Sequence, residues 1–278
     1  MRGFVKWIIA LVAIIIVVFV FLFFRSGSGE PIIDNNLVVT KGEPEREVIG
    51  HSVEGRNIEA YKFGGGGKLV VFVGGIHGGY EWNSITLAQK VMEYLRTNPD
   101  IIPDGVSVAI IPNANPDGLE IGRGPEGRFN ASKVDLNRNF DYKWRPEAVW
   151  KGNKVSAGTS PFSEPEARAI RNYALKYKPE AVIFWHSQAN AVYASECEDG
   201  ILPETLEIMS AYSKASGYPS IDSFDSYEVT GDAEGWLASI GIPAITVELK
   251  THETIEWESN LAGAKAILGY YAVGRGAK

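Results

Sequence analysis

Gly74-Gly75-Ile76-His77-Gly78-Gly79-Tyr80-Glu81 follows the apolar run Leu69 to Val73 and precedes a helical pattern that begins near Asn83. A strand that ends in glycines lets the backbone turn sharply. It carries His77 and Glu81 to the C-terminal edge of a sheet, where open α/β sheets place their sites. Imidazole and carboxylate are both zinc ligands, and a catalytic zinc takes three protein ligands and keeps a fourth position for water. The segment therefore offers two of the three. A lone His-x-x-x-Glu is as readily a solvated pair on a surface loop, so the rest of the chain decides between the two readings.

The chain has 278 residues, 45% hydrophobic and 22% charged, enough for one large domain with a substantial core. A net charge of −7 leaves no basic field for a polyanion, which argues against nucleic acid as a partner. Cys197 is the single cysteine, so no internal disulfide forms and the fold rests on packing. The only histidines are His51, His77, His186 and His252, which narrows the metal question.

Arg2 and Lys6 precede an unbroken apolar stretch, Trp7 to Phe24, which as a helix is roughly 27 Å long and matches a bilayer's hydrocarbon core. It reads as a single transmembrane anchor over 7–24. The positive charge keeps 1–6 cytoplasmic and places the remainder outside the membrane. The competing reading is a cleaved signal peptide, for which no Ala-x-Ala-like site follows. Residues 25–40, with Ser26-Gly27-Ser28-Gly29, read as a flexible tether, and 41–278 as the catalytic domain. No inhibitory prodomain fits between the anchor and Lys41, so the domain is expected to be active as made.

Beyond Lys41, strands are expected at 47–49, 57–63, 68–73, 106–111, 181–185 and 244–247. Helices are expected from an Asn83 cap to about Thr97, from a Ser163-Glu164-Pro165-Glu166 capping box to about Tyr177, and over 203–216, 233–239 and 254–273. Gly64 to Gly67 is a connection between strands. It is no phosphate cradle, because neither a Lys-Ser/Thr pair nor a helix opens after it. Asn113 to Thr159 is polar and glycine-rich, and loops of that length inside a compact domain are usually functional or disordered. Short apolar strands alternating with helices imply an α/β fold with a mixed, mostly parallel sheet covered by helices on both faces. His77, His186 and Glu248 each stand at or just beyond the end of an apolar run, where a polar side chain serves chemistry better than packing.

At this point the chain resembles the zinc carboxypeptidases of the carboxypeptidase A type, over about Glu47 to Val273. The signatures are Asn115-Pro116-Asp117-Gly118, then Arg128, then Asp135-Leu136-Asn137-Arg138-Asn139, then His186-Ser187, then Tyr227 nine residues before Trp236, and Thr246-Val247-Glu248-Leu249. The resemblance implies one zinc per chain held by His77, Glu81 and His186, with Asp135 orienting His77. It implies Asn137 and Arg138 as holders of a peptide's free C-terminal carboxylate, Arg128 as the cation that polarises the scissile carbonyl, and Tyr227 as a mobile tyrosine that closes over substrate. Glu248 would take a proton from the attacking water and hand it to the departing amine. The chemistry agrees: guanidinium binds carboxylate bidentately, and a fixed cation stabilises a developing oxyanion. Glu234, seven residues after Tyr227, would lie at the base of the pocket for the terminal side chain and favour a cationic one; Asp232 is the alternative source of that charge. Arg123 has the wrong spacing for the catalytic arginine. His51 and His252 are expected in solvated positions.

Two departures stand out. The family carries His-x-x-Glu, whereas one extra residue separates His77 from Glu81, so the loop has to bulge or the following helix has to start early. The arginine often found between the ligands is replaced, and Tyr80 and Trp82 either form an aromatic wall there or simply pack. The rival enzyme reading is an aspartoacylase-type zinc amidohydrolase acting on N-acyl amino acids. A rival of another class is an inactive peptide-binding ectodomain. A serine hydrolase is unsupported, since Gly50-His51-Ser52-Val53-Glu54 lacks the final glycine of a nucleophile elbow.

Overall fold

Four apolar segments, each bounded by turn residues, form the parallel centre of the sheet: β3 (Lys68–Val73), β4 (Val106–Ile111), β7 (Ala181–Ser187) and β10 (Ala244–Leu249). The computed structural model describes residues 42–272, so the expected anchor (7–24) and tether (25–40) lie outside the described residues. No helix among the described residues is long and apolar enough to cross a membrane. The sheet has eight strands in the order β1-β2-β4-β3-β7-β10-β8-β9, with β1 (Glu45–His51), β2 (Asn57–Phe63), β8 (Ala191–Ala194) and β9 (Ser220–Ile221) completing it. Of its seven pairings, β4 with β3, β3 with β7, β7 with β10 and β8 with β9 are parallel, and the other three antiparallel.

Alternate residues of the central strands feed two cores. Phe72, Ile110, Ile183, Trp185, Ile245 and Val247 face helices α1 (Trp82–Thr97), α4 (Pro203–Ser216) and α6 (Trp257–Ala272). Val71, Val73, Ile111, Val182 and Phe184 face α3 (Pro165–Tyr177) and α5 (Ala233–Ser239). Burial on both sides explains why these strands read as unbroken apolar runs rather than alternating ones.

The segment 113–159 is structured. Its parts are α2 (Pro116–Ile121), two short 3-10 turns at Pro125–Arg128 and Leu136–Arg138, and a separate hairpin of β5 (Glu147–Trp150) with β6 (Asn153–Ser156). The hairpin turns at Lys151 and Gly152, whose φ values of +48° and +77° are those of a two-residue turn matched to strand twist.

Two helix starts differ from expectation. α1 begins at Trp82, and Asn83 is no cap: its amide donates to the Thr251 and Thr254 carbonyls at 2.6 and 2.8 Å, tying down the loop after β10. The box at 163–166 does not form either. Pro165 opens α3 behind Glu164, and Glu166 turns inward to accept from Val53 N and Asn130 Nδ2 at 3.1 and 3.2 Å.

On the first face, Trp185 stacks on Phe72 with ring centroids 5.0 Å apart and donates from Nε1 to Tyr212 Oη at 3.1 Å. Tyr212 Oη in turn donates to Asn260 Oδ1 at 2.7 Å. Removing the hydroxyl strands two buried groups, each worth about 1–3 kcal/mol. Tyr212→Phe is therefore expected to lower unfolding free energy by roughly 2–4 kcal/mol, read from the denaturant midpoint at unchanged slope.

Candidate metal centre

His77, Glu81 and His186 come together at the C-terminal edge of β3 and β7, all buried, with one potential ligand atom from each lying within 4.8 Å of the others. His77 follows the glycine turn after β3, and Glu81 closes a 3-10 turn over Gly78–Glu81 before α1 starts. That turn is how the longer spacing is accommodated. It works only with glycines, because Gly78 has φ +47° and a Cβ on it would meet Gly127 O at 2.6 Å, while one on Gly79 would meet Gly122 O at 2.2 Å. Asn115 caps α2 by accepting from Gly118 N at 2.9 Å, and Gly118 packs against the same turn, so the Asn-Pro-Asp-Gly stretch is scaffold for the ligand loop.

The donor atoms are arranged for a cation. His77 Nδ1 and His186 Nδ1 stand 3.2 Å apart, Glu81 Oε1 is 2.8 Å from the first, and Glu81 Oε2 is 3.0 Å from the second. Two imidazole lone pairs cannot face each other in a dry interior unless a proton or a metal sits between them, and a borderline-soft dication suits two imidazoles and a carboxylate. Burial pushes the Glu81 carboxyl up, but the His77 and His186 charges outweigh it and hold the group well below the usual range. His186 is displaced the opposite way: burial acts to lower it, and Glu81 and Glu234 together raise it well above an ordinary histidine. Without metal, a proton does the metal's work.

Around this triad, Asp135 Oδ1 lies 3.4 Å from His77 Nε2, and Asp135 Oδ2 accepts from Arg128 Nε at 2.8 Å. Arg128 Nη1 is 3.6 Å from Glu81 Oε1, and its guanidinium lies 4.7 Å over the Trp150 ring. Glu248 sits directly across from His186 in the parallel pairing of β10 with β7, with Oε2 accepting from Ala189 N at 3.2 Å. Burial and the neighbouring Glu81 charge push the Glu248 carboxyl up to about 7, within reach of neutral-pH proton transfer.

His77, Glu81, Arg128, Trp150, His186 and Glu248 line one cavity of about 550 Å³ together with Asn137, Arg138, Tyr227, Asp232 and Glu234, while Asp135 lies buried behind it. Arg138 donates from Nε and Nη2 to Val149 O at 3.3 Å each and from Nη1 to Asn137 O at 2.6 Å, which leaves two of its five N–H donors for a ligand. Asn137 Oδ1 accepts from Ala233 N at 2.8 Å, and its Nδ2 donates to Glu234 at 3.2 Å. Tyr227 packs edge-on against Phe224 at 4.9 Å, and both line the cavity. Tyr80 joins the wall, 5.3 Å from Trp150 and 4.4 Å from His252, whereas Trp82 lies outside the cavity under Arg123 at 3.8 Å. His252 is not solvated as expected: its Nδ1 meets Ser187 Oγ at 2.8 Å, and Ser187 donates to Asn83 at 3.0 Å. Trp150 and the hairpin that carries it had no counterpart in the sequence reading, although Lys151-Gly152-Asn153 after the short apolar run Ala148-Val149-Trp150 was the available sign.

Over residues 42–262 the chain matches the family model described as zinc carboxypeptidase. The chain belongs to the zinc carboxypeptidase family. Zinc is therefore the family's metal, and His77, Glu81 and His186 form a group that could hold it. The chain is similar to murein peptide amidase A of Escherichia coli K12, 30% identical over 144 residues that cover 48% of this chain and 54% of the relative. It is similar also to carboxypeptidase B of Astacus astacus, 31% identical over 157 residues, 50% of this chain and 52% of the relative. It thus spans about half the length of these curated relatives. Among solved structures, the murein-tripeptide amidase MpaA from E. coli O157 shares the fold, with TM-score 0.65, 23% identity, and coverage of 83% of this chain and 93% of that one. So does the carboxypeptidase A from Helicoverpa armigera, with TM-score 0.69, 20% identity, and coverage of 85% and 70%.

Purified protein is expected to hold one zinc per chain by elemental analysis, and His186→Ala to lose it. Because His186 binds a proton tightly when metal is absent, zinc must displace that proton. Apparent zinc affinity should therefore rise with pH, by about tenfold per unit for one proton released, a slope checked by chelator competition between pH 5 and 7. A flat profile would mean the ligand nitrogens are not proton-bound in the metal-free protein.

Proposed function

We propose that the protein is a zinc metallocarboxypeptidase that hydrolyses the C-terminal peptide bond of a peptide. The observation that carries this reading is the register of β10 on β7, which sets the Glu248 carboxylate beside His186 and hence next to the metal position. A bound zinc supplies Lewis acidity and makes water acidic enough to attack a carbonyl at neutral pH. Glu248 removes a proton from the attacking water and returns it to the departing amine, the two halves of one general acid–base cycle. Arg128, held by Asp135 and by the Trp150 face, presents its guanidinium where negative charge grows on the scissile carbonyl oxygen. The remaining donors of Arg138, with Asn137 beside it, receive the substrate's terminal carboxylate, and Tyr227, which lines the same cavity, closes over it.

The carboxylates on the cavity wall support a cationic terminal side chain. Asp232 is half-buried and pushed up to about 6 by burial and by Glu234, so it is ionised at neutral pH. Lysine, arginine or the amine of a diamino acid in a cell-wall peptide all fit that charge. Curated relatives named murein peptide amidase A and gamma-D-glutamyl-L-diamino acid endopeptidase 1 favour the cell-wall source, and those named carboxypeptidase B keep protein-derived peptides alongside it. The apolar stretch at 7–24 with its preceding Arg2 and Lys6 supports a single-pass anchor that holds the catalytic domain outside the membrane.

Glu248→Gln is expected to keep its zinc and lose about two to four orders of magnitude in kcat, while Arg138→Ala raises KM for free C-termini and abolishes the preference over amidated ones. Steady-state kinetics on blocked dipeptides with free and amidated ends check both. A Glu248→Gln variant of undiminished turnover would remove the general base from this account. For the anchor, protease applied outside cells with opened outer barriers should release a soluble active domain by cutting between Ser26 and Asn36; a protected fragment would invert the orientation.

A further inference from the structure

Glu234 is buried in the cavity wall at 5% exposure, and no step of the proposed reaction uses it. It occupies the first turn of α5, and the helix directs it at His186 rather than into open space. Its Oε1 accepts from His186 Nε2 at 3.1 Å and from the Thr246 hydroxyl at 2.9 Å, and its Oε2 accepts from Asn137 Nδ2 at 3.2 Å. Thr246 lies two residues before Glu248 on β10, so one strand face carries both the proposed general base and a group that pins Glu234.

We propose that Glu234 is a positioning residue for the metal: it holds His186 in the tautomer with Nδ1 bare and aimed at His77 and Glu81, and it does not select the substrate's terminal side chain. An imidazole that donates Nε2–H to a carboxylate has its Nδ1 lone pair fixed in direction and made more basic, which strengthens metal binding. The other histidine is served less well. His77 Nε2 is 3.4 Å from Asp135 and lacks a hydrogen bond, because Asp135 is turned toward Arg128 Nε. The better-made partnership of the two is thus the one at His186. Turning Glu234 toward a substrate cation would strand two buried donors, on His186 and Asn137, and the half-buried Thr246 hydroxyl, so the carboxylate stays where it is. Asp232, half-buried with Oδ2 bonded to Gly235 N at 2.7 Å, is then the neighbouring acid on α5 that faces substrate, in a cavity that Glu196 and Glu228 also line.

This inference rests on the zinc reading of His77, Glu81 and His186. The test measures two quantities on the full chain: the zinc dissociation constant by competition with a chromophoric chelator, and the ratio of kcat/KM for peptides ending in Lys and in Phe. Wild-type protein is expected to bind one zinc. Glu234→Ala should weaken zinc by about 10- to 100-fold, and Glu234→Gln, which keeps an acceptor but no charge, by roughly tenfold or less. Neither substitution should move the Lys-to-Phe ratio by more than about threefold, whereas Asp232→Asn should. Unchanged zinc affinity in both Glu234 variants overturns the positioning role, and does so most plainly if the substrate ratio shifts instead. If the alanine variant fails to fold, the isosteric glutamine variant carries the test. There, the Nε2–H resonance of His186 in zinc-loaded, nitrogen-15-labelled protein should move upfield, and an unmoved resonance counts against the proposal. Wild-type protein that binds no zinc overturns the metal centre itself, a result distinct from any change among the variants.

Discussion

Two histidine nitrogens facing each other at 3.2 Å beside a buried carboxylate set the terms for the rest of the molecule. Such an arrangement is unfavourable in a low-dielectric interior unless positive charge bridges it. The fold nevertheless holds it from several directions. β3 ends in the glycine turn that delivers His77, the 3-10 turn brings Glu81 back over it, and β7 ends at His186. Parallel strands place these ends on one edge, and the paired register of β10 brings Glu248 to the same edge without any contact between remote loops.

Around that edge, charges are arranged in opposed pairs. Arg128 is shared between Asp135 and the vicinity of Glu81, Glu234 binds His186, and Asn137 ties Glu234 to the start of α5. Each buried ion thereby has a partner, which keeps the carboxylates ionised where burial alone would neutralise them. Like Asp232, Glu248 is pushed the other way. Its one hydrogen bond is to Ala189 N, burial dominates, and its carboxyl rises to about 7. Two carboxylates of one cavity are thus pushed in opposite directions, Glu81 toward the charged form that a metal ligand needs and Glu248 toward the range that the proposed proton transfer needs.

Most of this was readable in the chain. The central strands announced themselves as apolar runs because both of their faces are buried, and the polar residues at their ends marked the site. Strand Ala191–Ala194 and the edge strand Ser220–Ile221 have four and two residues, too short for a periodic pattern, and Ser220–Ile221 is also exposed. Asn83 looked like a helix cap because its type and position suit one, and its bonds to carbonyls some 170 residues away override that local preference. The extra residue between His77 and Glu81 gave warning of an irregular loop. Its solution, glycine packed on glycine across Gly78, Gly118 and Gly127, depends on contacts that only the folded chain reveals. The partnership of Glu234 with His186 is of the same kind, set by where α5 docks against the sheet edge.

The account turns on which atoms hold the metal, and diffraction at the zinc absorption edge from crystals of the catalytic domain addresses that directly. A single anomalous peak at about 2.0–2.2 Å from His77 Nδ1, His186 Nδ1 and a Glu81 carboxylate oxygen is the predicted result. A peak bound through the Nε2 atoms, one that leaves Glu81 uncoordinated, or no peak at all in zinc-replete crystals would contradict it.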